Sequence, residues 1–70
     1  MVEADPISHP SHYTWIPGIE CMDVAKHFNF TLGNVLKYIW RAGRKGNALD
    51  DLKKARYYLD VEIARQEAME

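Results

Sequence analysis

The sequence has a single cysteine, Cys21, among 70 residues, so no internal disulfide can form. Its three histidines, His9, His12 and His27, have no zinc-finger spacing with that thiol, and no metal ligands are assigned. No run approaches the roughly 20 apolar residues that span a bilayer. The first residues carry Glu3 and Asp5 and lack the basic and apolar regions of a signal peptide. We therefore expect no membrane partner and a location in the cytoplasm. Net charge is only −1, which argues against non-specific nucleic-acid binding. No strand pattern, repeat or low-complexity segment is evident. A chain this short buries only about 60% of the surface its unfolded form exposes, and small domains lacking staples commonly borrow burial from a partner. A homo-oligomer, dimer or tetramer, is the expectation.

The residues present predict an all-α fold: one three-helix domain over residues 1–70 with an extended N-terminal arm. All three prolines, Pro6, Pro10 and Pro17, fall within the first 17 residues and bias their predecessors away from helix. That arm also contains Tyr13, Trp15 and Ile16, too apolar for a solvated tail, and is expected to lie across the helices or a neighbouring subunit. Helices are predicted over 18–28, 31–42 and 48–67. Asn29 should break the first. Thr31 should cap the second, and Asn47, followed by Asp50, the third. Leu49, Leu52, Ala55, Leu59 and Ile63 form the strongest helical periodicity in the chain and are read as a core stripe. Val35, Leu36 and Ile39 should likewise face the core.

Charge is distributed unevenly. Thr31 to Arg56 holds seven basic residues against two acids, net +5, while the remainder is net −6. Asn34, Lys37, Tyr38 and Arg41 recur at i, i+3, i+4 and i+7, so they share one helical face. An amide, an ammonium, a phenol and a guanidinium together offer donors for phosphate oxygens and a ring for stacking. Arg44 and Lys45, between Gly43 and Gly46, extend the positive field past the helix end. In the arm, His9, His12 and Tyr13 can stack on a base or donate to phosphate. A solvated helix face and an aromatic cover for a small core account for the same residues without a ligand. No phosphate loop is present, since Gly43-Arg44-Lys45-Gly46 is too short. A helix-turn-helix reading fails on Asp50 and Asp51, which open the helix that would face DNA. Neither catalytic residue nor cofactor is assigned, and DNA is excluded as a partner.

Four runs carry a resemblance: His9-Pro10-Ser11-His12-Tyr13, Gly18 to Asp23 (GIECMD), Gly33 to Arg41 (GNVLKYIWR) and Asp51 to Asp60 (DLKKARYYLD). Together they resemble a family of small phage proteins catalogued as a domain of unknown function. The domain is also similar to part of a phage nucleotide kinase that lacks a standard phosphate loop and acts on deoxynucleoside monophosphates. Small helical phage proteins of this kind are similar to oligomeric sponges that sequester cyclic oligonucleotide signals of bacterial antiviral defence (anti-CBASS proteins). The resemblance implies a linear or cyclic nucleotide as ligand, immune evasion in the host bacterial cytoplasm as role, and nucleotide kinase activity as the alternative. Its expected ligand-binding residues are His9, His12, Tyr13, Asn34, Lys37, Tyr38, Arg41, Arg44 and Lys45.

Overall fold

The computed structural model describes residues 10–70. A single 3-10 turn, Ser11–Tyr13, is followed by α1 (Cys21–Ala25), α2 (Phe30–Arg41) and α3 (Ala48–Met69). The described chain is thus all-helical, with only an isolated bridge between Ile16 and Ile19 closing the turn before α1.

α1 is shorter than the apolar spacing predicts. The Asp23 carboxylate accepts the Glu20 backbone N–H at 2.9 Å, which starts the helix just before Cys21. The chain leaves the helix after Ala25 through a turn. α2 is capped by Asn29 and not by Thr31: the Asn29 side-chain oxygen accepts the Leu32 N–H at 2.8 Å. The first helix has already ended at Ala25, so Asn29 starts α2 but is not the residue that breaks α1. Asn47 caps α3 as its sequence position suggests, accepting the N–H groups of Leu49 (2.8 Å) and Asp50 (3.2 Å). Between α2 and α3 the chain reverses through Gly43 and Gly46, with φ of 80° and 69°. These left-handed conformations strain any residue with a Cβ.

α2 and α3 form an antiparallel hairpin, as two cross-contacts show. Asn29 Nδ2 donates to Glu62 at 3.3 Å at one end, and Arg41 meets Asp51 at the other. Side chains buried among the described residues are few: Cys21, Val35 and Ala55 are apolar, while Asn34, Asp51 and Glu62 are polar. Asn34 and Glu62 have hydrogen-bond partners, and Asp51 has the Arg41 ion pair. Asn34 Nδ2 donates to the Phe30 carbonyl at 2.8 Å. Glu62 accepts from Arg65 and Gln66 as well as from Asn29. A buried carboxylate tolerates its position only when so satisfied. The inner face of α3 is therefore Asp51, Ala55 and Glu62; of the stripe predicted as core, Ala55 is buried there and the four larger aliphatic residues lie beside it. Leu49, Leu52, Leu59 and Ile63 keep between 43% and 57% of their surface exposed, and Ile39 on α2 keeps 54%. Hydrophobic periodicity reported a real stripe, but it does not say which surface covers it.

The arm lies on α2, as its aromatic content suggests. Trp15 Nε1 donates to the Trp40 carbonyl at 2.8 Å, and Trp40 Nε1 donates to the Tyr13 carbonyl at 3.0 Å. This reciprocal clasp holds residues 13–15 against the C-terminal half of α2. α1 closes on the other half, where a Cβ on Gly33 would come within 3.4 Å of the Ala25 carbonyl oxygen.

Candidate functional site

Because the arm clasps one end of α2 and α1 rests near the other, a groove opens between them. It has a volume of about 490 Å³, and its wall includes Tyr13, Cys21, Met22, Phe28, Phe30, Asn34 and Lys37. Such a volume falls in the usual range of small-molecule sites, which are largely apolar with a few placed polar groups. Met22, Phe28 and Phe30 are 68%, 47% and 82% exposed, so the apolar wall is open to an incoming ring. Burial pushes the Cys21 thiol pKa up, partly opposed by Lys37, and leaves it protonated at neutral pH.

Beyond Tyr13 a second, charged cluster forms. Arg41 Nε lies 3.2 Å from Asp51 Oδ1, and the Asp51 side chain is only 2% exposed. The contact is an ion pair without hydrogen-bond alignment, and Asp51 Oδ2 has no hydrogen-bond partner. The Tyr13 hydroxyl, and then Asp51, hold the Arg41 guanidinium charged. His12 stacks at a tilt on Tyr13, ring centroids 4.1 Å apart. Its pKa is lowered first by desolvation, then by Lys45 and Arg41, so it stays neutral at pH 7.

The predicted residues thus separate. Tyr13, Asn34 and Lys37 come together at the groove, with Tyr13 bordering the cluster as well. Asn34 is buried there, and its amide is committed to its own helix. Arg41 belongs to the cluster with Asp51, and His12, stacked on Tyr13, lies within electrostatic reach of Lys45 and Arg41. Tyr38 stacks on Tyr58 at 5.8 Å, with Lys37 and Lys54 at 4.5 and 5.5 Å from its ring centre. Arg44 covers the Trp15 ring at 3.8 Å. His9 lies outside the described residues. Shared helical face therefore did not mean shared site, because the inward half of that face is occupied by α3.

Cys21 and Met22 in the groove wall fall in the GIECMD run, to which no ligand role was given, while Phe28 and Phe30 fall in none of the four runs. The exposed aromatic pair around the Asn29 cap was the available signal. Asp51 as the partner of Arg41 was also missed, since the two are ten positions apart and meet only through the hairpin. Among the described residues no group of three His, Cys, Asp or Glu side chains is placed to hold a metal ion.

These features belong to a class recognised by family. Residues 7–60 match the family described as a protein of unknown function, DUF3310, and the chain belongs to it. A curated relative is the gene 1.7 protein of Enterobacteria phage T3, 35% identical over 65 residues. That match covers 79% of this chain and 40% of the relative, so the chain spans about two-fifths of the relative's length. No solved structure matches the chain. The family match includes every expected ligand-binding residue, and it assigns none of them a role.

Proposed function

We propose that this phage-family protein binds a nucleotide in the groove between the arm, α1 and α2, and sequesters it without turnover. The observation that carries this reading is the groove itself, an open apolar slot of about 490 Å³ with Lys37 on its rim. A base stacks on the exposed Phe28 and Phe30 rings or on Tyr13, where aromatic stacking contributes about 1–3 kcal/mol per base. Lys37 meets the phosphate as a point charge, and Asn34 fixes the wall between them. The Cys21 thiol, raised in pKa by burial, is a poor nucleophile, and lysine neutralises phosphate without transferring a group. Those properties favour holding a ligand over converting one.

The ligand class we favour is a cyclic di- or oligonucleotide signal of host antiviral defence. Its capture in the bacterial cytoplasm would serve immune evasion. A useful sponge needs a dissociation constant near nanomolar, about −12 kcal/mol. The test is incubation with a panel of linear and cyclic nucleotides, followed by denaturation and chromatography of what was bound. Recovery of an unaltered nucleotide supports sequestration, and no binding at micromolar concentration to any member of the panel removes the reading.

The Arg41–Asp51 cluster favours a second reading, a deoxynucleoside monophosphate kinase. With His12 and Lys45 beside it, the cluster offers a second anion position across Tyr13 from the groove. Electrostatic positioning of that kind supplies most of the catalysis in phosphoryl transfer. Transfer of phosphate from a nucleoside triphosphate to a monophosphate, with magnesium present, would establish it. A flat time course at high protein concentration would dismiss it.

A further inference from the structure

The hairpin has two sides, and the described residues cover only one. The arm and α1 pack on the side that bears Lys37 and Gly33. On α3, Leu49, Leu52, Leu59 and Ile63 form a stripe about 100° around the helix from the inward residues Asp51, Ala55 and Glu62. On α2, Ile39, continued by the half-buried Leu32 and Leu36, lies in the same rotational sense from Asn34 and Tyr38. Both helices are right-handed and they run antiparallel. Turning in the same sense from their shared contact therefore brings both stripes to one side of the hairpin. That side is opposite the arm.

Five aliphatic side chains there, each about half exposed, amount to roughly 400 Å² of contiguous apolar surface, the size of the largest patch on a typical monomer, which is often a functional one. The chain itself buries only Cys21, Val35 and Ala55 among its described apolar residues, so it has unmet need of burial.

We propose that a second copy of this chain covers this face, with the two α3 helices packed antiparallel. Spacings of 3, 4, 3 and 4 connect Leu49, Leu52, Arg56, Leu59 and Ile63, which is the seam of a two-helix interface interrupted by one cation. Charge selects the orientation. The first half of α3 presents Lys53, Lys54 and Arg56 against Asp50, while the second presents Asp60 and Glu67, its one cation Arg65 being paired with Glu62. A parallel pair would set like charges together, and an antiparallel pair sets opposite charges together. In the antiparallel register that seats Leu52 on the partner's Ile63, Arg56 lies beside the partner's Leu59 and Asp60. The cation within the apolar seam then has an acid to meet. The interface leaves the groove open on the far side of each hairpin, so it holds whether or not a nucleotide is the ligand.

The test uses the full chain at about 100 µM, where a micromolar interface is largely occupied. Light scattering on a sizing column is expected to give at least twice the 8.1 kDa chain mass. Arg56→Glu and Asp60→Arg, both at exposed positions, should each weaken the dimer at least tenfold while circular dichroism stays helical. An equal mixture of the two variants should restore it, because each altered charge then meets its opposite on the other copy. Restoration by mixing cannot come from the Arg56–Asp60 pair within one helix, which is like-charged in both variants. A wild-type mass of 8.1 kDa overturns the proposal, as does a dimer that Arg56→Glu, Asp60→Arg and Leu59→Glu all leave intact.

Discussion

At the scale of single residues, two side chains separate stability from binding. Asp51 is buried against Arg41, so Asp51→Ala strands a guanidinium that is itself mostly covered. Breaking such a pair costs about 3 kcal/mol, and chemical denaturation of Asp51→Ala should show a loss of that order. Lys37 touches the Tyr38 ring and the groove rim but closes no buried pair. Lys37→Glu should therefore leave the unfolding free energy within about 0.5 kcal/mol of wild type while weakening nucleotide binding at least tenfold. Titration adds a third expectation. The folded state holds His12 below the ordinary histidine value through burial, with Lys45 and Arg41 beside it. Below about pH 6.5 the unfolded chain takes up a proton that the folded chain resists, so stability is full above that pH and falls beneath it. Glu62, held below its ordinary value by Arg65 and Gln66, adds a second loss at lower pH, as protonation enters the carboxylate range. Thermal melts from pH 8 to pH 4 should show a midpoint that only decreases. A midpoint that rises between pH 7 and pH 5.5 would contradict the placement of His12.

At the scale of elements, local chemistry was the legible part. The Asn47 cap, the glycine reversal at Gly43 and Gly46, and three helices in the right order all follow from residue type and spacing. Asn47→Ala removes two cap bonds and should cost about 1 kcal/mol, measurable by urea unfolding. The α1 ends and the α2 cap were less legible. Asn29 and Thr31 are both good caps, and Asn29 holds the role with its oxygen on the Leu32 N–H and its amide nitrogen on Glu62 across the hairpin. The inside of α3 was legible only at Ala55, the one member of the predicted stripe that is buried. Its leucines carry the stronger periodicity, yet Asp51, Ala55 and Glu62 face α2, since Arg41 and Asn29 wait there to satisfy the carboxylates. Pattern reading ranks faces by apolarity, and here ion pairing across the hairpin outranks it. The predicted site split for the same reason: Arg41 is drawn to Asp51 while Lys37, one turn earlier, stays at the groove.

At the scale of the molecule, the described residues form a helical hairpin clothed on one side by an arm and a short helix and bare on the other. No helix among the described residues is long and apolar enough to cross a membrane. Family membership over residues 7–60 spans the groove, the cluster and most of α3, so each lies within the shared unit. The nucleotide reading rests on the groove. Isothermal titration of the wild-type chain and of Lys37→Glu with the nucleotide selected by the binding panel tests it most directly. The account predicts saturable binding by wild type at submicromolar affinity, with heat lost or affinity reduced at least tenfold in the folded variant. Equal affinity in the two proteins, or no heat with any nucleotide of the panel, would contradict it.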